Sequence, residues 1–210
     1  MDKTWNQKIE LAEKALSAAD PILASLINRF GPYKITPHTD YYRQLVRSII
    51  GQQLSVKAAE SIYNRFIELF EGTMPSPEQI ISTDVEALRK IGCSYSKANY
   101  IRDLAQHIID GRLDLDDIAT LSNETVIEQL VAVKGIGEWS AHMFMMFSLG
   151  RLDILPTGDL GVRKAMMLLY DLPELPKPPV MHEIALLHHW APYQSVASWY
   201  LWESLDTKPA

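Results

Sequence analysis

One aspartate stands where a carboxylate could act on a substrate. Asp159 follows the loop Pro156–Gly158 and precedes an apolar helical segment, so we expect its side chain at the N-terminus of a helix. An aspartate there caps the helix by accepting a backbone N–H, and that structural role alone explains the residue type. A carboxylate held beside a pocket can also stabilise positive charge that develops on a sugar ring, as in glycoside hydrolysis. Asp153 is interpreted as an exposed loop residue.

A pair of glycines indicates a phosphate-binding turn. Gly135 and Gly137 flank Ile136, between the apolar segment Leu130–Val133 and a second apolar segment. Because glycine has no side chain, the turn can be tight and its backbone N–H groups stay uncovered at a helix N-terminus, where the helix dipole favours an anion. An ordinary tight connection between two helices is the structural alternative.

Two further segments combine residue types that suit contact with nucleic acid. Trp199 and Trp202 are three apart on a predicted helix and share a face, which provides either core packing or an aromatic wall that stacks a base. Gln52, Gln53 and Leu54 form a turn between two apolar helices. Such a turn is either a polar loop or a wedge that enters a base stack.

The elements that position these residues are helices throughout. Apolar residues recur at helical spacing, and no alternating strand pattern occurs. Helix caps are predicted at Ser55, at Ser76 before Pro77, at Thr83 in a capping box, at Ser94 or Ser96, and at Ser122. The sequence predicts an all-α fold of about ten helices, with a loop over Asp171–Val180 and a helical N-terminal extension that returns to pack against the C-terminal helices.

Composition restricts the function classes. The 210 residues are 47% hydrophobic and 22% charged, as in ordinary globular proteins. The net charge of −6 weighs against a nucleic-acid partner but does not exclude one, since a basic footprint can be local. Cys93 is the only cysteine, which excludes an internal disulfide, a cysteine-based zinc site and a four-cysteine iron–sulfur cluster. The six histidines lack metal spacing, and we expect a reducing compartment and no secretory signal.

Taken together, these segments resemble those of the helix-hairpin-helix DNA glycosylase superfamily, and most of all its 3-methyladenine DNA glycosylase II branch. The resemblance covers about residues 41–205 and rests on five segments: Ser48–Ser55, Gly92–Ile101, Val133–Ala141, Pro156–Lys164 and Pro192–Trp202. It implies two all-α lobes with the active-site cleft between them and no N-terminal β lobe. Residues 1–40 with about 160–210 would form one lobe, and about 41–158, with the hairpin at 130–141, the second.

The resemblance also assigns roles. Asp159, 22 residues after Gly137, would be the catalytic carboxylate acting on a base flipped out of the duplex. The pocket for that base would be formed by Trp139, Trp202, Met143 and Leu160. DNA would be bound by Gly135, Gly137, Lys134, Gln52, Gln53, Leu54 and Ser55, with Gln53 or Leu54 filling the gap left by the flipped nucleotide. No cofactor is required, and a structural Na⁺ or K⁺ would lie on the hairpin carbonyls of Val131, Val133 and Ile136.

One position separates this sequence from relatives that also cleave the DNA strand. Those relatives carry a lysine two residues after the last hairpin glycine, where this sequence has Trp139. The resemblance therefore implies a monofunctional glycosylase that removes alkylated purines, such as 3-methyladenine and 7-methylguanine, and leaves an abasic site. A non-catalytic module that binds distorted DNA and a bifunctional glycosylase/lyase are the alternatives.

The expected partner is double-stranded DNA with alkylated bases, and not a membrane. We expect a monomer, located in the cytoplasm of a bacterium or the nucleus of a eukaryote. DNA binding by an acidic chain requires its basic residues to be concentrated. We therefore expect five of them near one face: Arg47, Lys57, Lys134, Arg163 and Lys164.

Overall fold

A computed structural model describes the backbone of residues 3–206 and the side chains of residues 4–205. Twelve α-helices and one 3₁₀ helix, and no strand, occur in this part of the chain. The helices are α1 (Lys3–Ala19), α2 (Pro21–Phe30), α3 (Tyr41–Gly51), α4 (Val56–Leu69), α5 (Pro77–Ser82), α6 (Val85–Lys90), α7 (Tyr95–Ile109), α8 (Asn123–Val131), α9 (Glu138–Phe147), α10 (Leu160–Leu169), α11 (Pro178–Leu187) and α12 (Gln194–Asp206), with the 3₁₀ helix at Ile118–Thr120. The predicted all-α fold is confirmed.

The number of helices exceeds the predicted ten because the N-terminal extension is two helices. Asp20 caps α2 and Pro21 occupies its first position, where its missing N–H is no loss. Proline likewise occupies the first turn of α11. This helix therefore begins at Pro178, inside the segment that the sequence predicts to be a loop.

Most predicted caps are confirmed, and one is wrong. Ser55, Ser76, Ser94 and Ser122 each accept a backbone N–H from the first turn of the helix that follows. The cap of α6 is Asp84 and not Thr83, whose hydroxyl donates to the Gln79 carbonyl and ends α5.

Contacts divide the chain into two compact units. Unit 1 comprises Met1–Pro37 and Met145–Ala210, and unit 2 comprises His38–Phe144. The sequence predicts the second border near residue 158, whereas this division has it at the Phe144–Met145 bond. Residues before 158 join unit 1 because Ser195 on α12 binds them: its Oγ accepts the N–H of Ile154 at 3.0 Å, and its N–H donates to Leu152 at 2.9 Å.

Each unit has its own helical packing. In unit 1, α1 and α2 contact α12, as the predicted return of the N-terminal extension requires. Its core contains the fully buried Leu16, Leu23, Trp190 and Tyr200. In unit 2, α7 packs against α3, α5 and α6. Across the described residues, no helix is both long enough and apolar enough to cross a membrane.

Candidate functional site

Asp159 is the N-cap of α10, as its position after a Pro-Thr-Gly loop predicts. Its Oδ1 accepts the N–H of Val162 at 2.8 Å and the indole N–H of Trp202 at 2.8 Å. The side chain is largely buried, and 9% of the residue remains exposed. The cap alone would leave the carboxylate free to rotate, but the second donor, 43 residues away in sequence, fixes its plane.

Trp202 is held beside Asp159 by two residues that are not among the predicted site residues. Its indole stacks on Phe147, with ring centroids 5.9 Å apart and planes at 24°. A Cβ on Gly161 would lie 2.9 Å from Cδ1 of Trp202 and 3.1 Å from Oδ1 of Asp159, so only glycine permits this approach. A glycine in the first turn of a helix, where it costs helix stability, was the available signal.

The other aromatic candidates have different environments. Trp199 is 7% exposed and packs edge-on against Tyr33 in unit 1, so its role is core packing. Trp139 is 49% exposed and lies on α9 in unit 2. Met143 lies four residues later on the same helical face, and Leu160, on α10 in unit 1, is 63% exposed. The structure thus brings Asp159 and Trp202 together in unit 1, and places Trp139 and Met143 in unit 2.

Residues 131–138, from the last residue of α8 to the first residue of α9, are called the glycine hairpin. Gly135 has φ of +85°, and the ring of Tyr100 occupies the space that a Cβ on it would need. Ile136 is buried, which fixes the turn in the unit 2 core. A Cβ on Gly137 would meet nothing within 4 Å, so the space beside its Cα is open just before α9.

Asp103 on α7 holds the glycine hairpin from one side. Its Oδ2 accepts the backbone N–H of Lys134 at 2.8 Å, and the ammonium of Lys134 lies 3.2 Å from Oδ1. His107 Nδ1 is 3.4 Å from Oδ2. Burial raises the pKa of the Asp103 carboxyl, but Lys134 and His107 together lower it more, so that the pKa lies below its usual value. The side chain of Lys134 is 75% exposed and can still reach a phosphate.

Residues 52–55, between α3 and α4, form the turn that is predicted to act as a wedge and is called the wedge turn below. Gln52 Nε2 donates to the carbonyl of Gly135 at 2.7 Å, which joins this turn to the glycine hairpin. Gln53 has φ of +57°, and Leu54 is 38% exposed. The hydroxyl of Ser55 caps α4 by accepting the N–H of Ala58 at 3.3 Å. A cavity of about 660 Å³ in unit 2 is lined by, among others, Ser48, Gln53, Ser94, Lys97, Trp139 and Ser140.

Two of the predicted hairpin carbonyls have the chemical character of ligands for a monovalent cation. The Val133 carbonyl accepts the N–H of Ile136 at 3.1 Å, which leaves its second lone pair. Val131 is the last residue of α8, where helix carbonyls lack intrahelical donors. Neutral carbonyl oxygens of this kind suit a singly charged hard cation. Among the described residues, no group of three His, Cys, Asp or Glu side chains could hold a metal ion.

The five basic residues expected on one face divide between the units. In unit 2, Arg47 forms a salt bridge with Glu60, and its guanidinium carbon lies 4.5 Å from the ring centroid of Tyr63. In unit 1, Arg163 donates to the Pro176 carbonyl at 2.9 Å. Their concentration on one face stays a prediction.

Comparisons with known proteins agree in one family. The model of the HhH-GPD superfamily of base excision DNA repair proteins matches residues 46–190. DNA-3-methyladenine glycosylase 1 of Schizosaccharomyces pombe is 35% identical over 184 residues, which are 87% of this chain and 80% of that protein.

Solved structures give the same result. The crystal structure of a DNA-3-methyladenine glycosidase from Bacillus halodurans has a TM-score of 0.83 at 41% identity, covering 93% of this chain and 89% of that one. The S. pombe 3-methyladenine DNA glycosylase in complex with abasic DNA has a TM-score of 0.80 at 34% identity, covering 93% and 97%.

Proposed function

Because the chain belongs to the HhH-GPD superfamily of base excision DNA repair proteins, we propose that it is a DNA glycosylase for alkylated purines in double-stranded DNA. Its substrates would include 3-methyladenine and 7-methylguanine. The observation that carries the proposal is the Asp159 carboxylate, held by the Val162 N–H and the Trp202 indole at 2.8 Å each. The names of the most similar relatives support the substrate class.

The chemistry follows from the charge of the substrate. An N3- or N7-alkylated purine is cationic, so when its N-glycosidic bond breaks, the bonding electrons leave with the base and neutralise it. Positive charge then develops on the deoxyribose, where the fixed carboxylate of Asp159 stabilises it. Water adds at C1′ and loses a proton, which Asp159 would accept. Since the leaving base needs no proton, the reaction does not require a separate general acid.

Recognition of the base depends on its cationic character. An exposed indole can stack on an electron-poor ring, and a cationic ring strengthens that contact. Trp139, 49% exposed, and Trp202 are the aromatic residues proposed for this role. Met143 and Leu160 are the apolar residues proposed to contact the base.

Binding of the duplex would use the two turns of unit 2. The N–H groups of Gly135 and Gly137 would bind a backbone phosphate, with Lys134 beside them and a Na⁺ or K⁺ on the hairpin carbonyls. Gln53 or Leu54 would fill the gap left by the flipped base. Ser55 and Gln52 already have partners within the protein, so we propose that they shape the wedge turn more than they contact DNA.

Trp139 distinguishes this proposal from strand-cleaving chemistry. A lyase forms a Schiff base between an amine and C1′, and the indole of Trp139 has no nucleophilic amine. We therefore propose a monofunctional enzyme that leaves an intact abasic strand. We also propose that the enzyme acts as a monomer.

The test is base release from methylated duplex DNA by the wild type and by Asp159→Asn. We expect the wild type to release free 3-methyladenine or 7-methylguanine, detected by chromatography, and the variant to lose most of the rate. Strand breaks should appear only after the product is treated with hot alkali. If neither protein releases a base but both bind an abasic duplex, the chain is a non-catalytic module, and strand breaks without alkali would indicate a lyase.

A further inference from the structure

One face of α7 carries residues that contact both turns of unit 2. Lys97, Tyr100, Asp103 and His107 are spaced by three or four residues, which aligns them along a single stripe of the helix. Lys97 contacts the wedge turn, whereas Tyr100 and Asp103 contact the glycine hairpin. A single rigid element therefore bears on the two segments proposed to engage DNA.

At the wedge turn, the contact is a cation on the end of α3. The ammonium of Lys97 donates to the Ile50 carbonyl at 2.8 Å and to the Gln52 carbonyl at 2.7 Å. Carbonyls at a helix C-terminus lack intrahelical donors, and a cation there is favourable. The residue that follows, Gln53, has φ of +57°, a conformation that a side chain with a Cβ disfavours. The ammonium bond to Gln52 thus holds the peptide that leads into the strained residue.

At the glycine hairpin, the contacts are steric and ionic. The ring of Tyr100 packs where a Cβ on Gly135 would be, and Asp103 accepts the N–H of Lys134 at 2.8 Å. Gln52 Nε2 donates to the Gly135 carbonyl at 2.7 Å and closes a circuit from α7 to the wedge turn to the hairpin. Displacing any one of the three segments would break contacts to the other two.

We propose that α7 sets the distance between the wedge turn and the glycine hairpin, and that Lys97 is the positioning residue that keeps Gln53 and Leu54 ready to enter the base stack. The inference rests on the proposed glycosylase function. Insertion of a wedge requires unstacking of the duplex, and a turn already ordered in its inserting conformation loses less entropy on binding. Lys97 touches neither base nor sugar in this scheme, since its ammonium is engaged by the two carbonyls.

The test separates wedge positioning from a general structural role. Lys97→Met retains the aliphatic stem and removes the donors, Lys97→Arg restores donors, and Lys90→Met is the matched control at an exposed site on α6. Single-turnover rates are measured with 7-methylguanine in a fully paired duplex, and in a one-nucleotide bulge that is already unstacked. We expect Lys97→Met to lose about tenfold on the paired duplex and less than twofold on the bulge, and Lys97→Arg to recover at least half of the loss. A merely structural role would lower both rates equally, and that result, or no loss at all, would overturn the proposal.

A double-mutant cycle gives a second readout. In a variant with both Gln53→Ala and Leu54→Ala, the wedge is gone, so adding Lys97→Met should change the paired-duplex rate by less than twofold. A tenfold loss in that background would mean that Lys97 acts elsewhere. Wild type that releases no base from either substrate would contradict the proposed function itself, which is a different result from equal rates in wild type and Lys97→Met.

Discussion

Two aspartates in unit 1 begin helices in the same way. Asp20 caps α2 by accepting the N–H groups of Ile22 and Leu23, and Asp159 caps α10 by accepting the N–H of Val162. Each also accepts a tryptophan indole N–H at 2.8 Å, from Trp190 and Trp202 respectively. The local structure of the two sites is therefore nearly the same.

The two sites differ in how deeply the carboxylate is buried. Asp20 is 0% exposed, and its Oδ2 also accepts the Tyr170 hydroxyl at 2.6 Å, with His188 Nδ1 at 3.5 Å. Both oxygens of Asp20 thus have partners in the core, whereas Asp159 keeps 9% of its surface exposed. Burial and the bond to Asp20 raise the pKa of Tyr170, so its hydroxyl remains a donor. A capping aspartate enclosed by the core stabilises the fold, whereas one that keeps part of its surface exposed can also meet a substrate.

The largest expected effect is on activity. Asp159→Asn should lower the rate of base release by at least about 100-fold, because an amide keeps the cap but not the negative charge that we propose stabilises the sugar. Asp20→Asn should stay within about threefold of wild type at a temperature where it is folded. Initial rates on methylated duplex DNA measure both. Similar losses in the two variants would remove the functional distinction between the two caps.

The next effect is on the free energy of unfolding. Here Asp20→Asn should show a larger loss than Asp159→Asn. Asp20→Asn should lower the free energy of unfolding by about 2–3 kcal/mol. The NH₂ group of asparagine cannot accept a hydrogen bond, so the donors that face one of the two carboxylate oxygens would lose their acceptor. Asp159→Asn should lower it by less than about 1 kcal/mol, since asparagine caps helices as well as aspartate does. Urea unfolding followed by circular dichroism measures both values. A larger loss for Asp159→Asn would mean that its carboxylate is mainly structural.

Sequence alone predicted the part of this comparison that is local. The cap at Asp159, like those at Ser55 and Ser122, depends on a side chain and an N–H two or three residues away, so the pattern is visible in a short window. The family resemblance then supplied a role for Asp159 that its capping geometry does not contain.

The parts that could not be predicted depend on distant partners. Tyr170 and Trp190 lie 150 and 170 residues from Asp20, and no pattern in the sequence indicates that their side chains contact it. From the sequence, Gly161 is only a residue that lowers the stability of its helix. The contact that requires glycine there is with Trp202, 41 positions later. Lys97 has the same character, because its two acceptors belong to a turn more than 40 residues earlier.

Gly161 gives a third, smaller effect that tests whether the position of Trp202 matters to Asp159. Gly161→Ala adds a methyl group 2.9 Å from Trp202 Cδ1 and 3.1 Å from Asp159 Oδ1, so the indole must shift. We expect base release to fall about tenfold. The unfolding free energy should change by less than about 1 kcal/mol, because the higher helix propensity of alanine offsets part of the cost of the close contact. Gly158→Ala is the matched control, because its Cβ would meet nothing within 4 Å. Equal rates in the two alanine variants would show that Trp202 does not position the carboxylate.

The smallest effect concerns Asp103, which extends the comparison to a carboxylate of unit 2 that binds a backbone N–H outside its own helix. Its pKa is lowered in the folded protein, so the ionised form stabilises the fold fully above its unfolded pKa of about 4, and this contribution is lost as the pH falls through the lower folded value. Asp103→Asn should therefore lower the unfolding free energy by about 1 kcal/mol at pH 7, and the difference from wild type should shrink below about pH 4. Urea titrations from pH 7 to pH 3 measure this difference, with Asp116→Asn as an exposed control. A difference that stays constant over that range would mean that the charge of Asp103 does not hold Lys134 and the glycine hairpin.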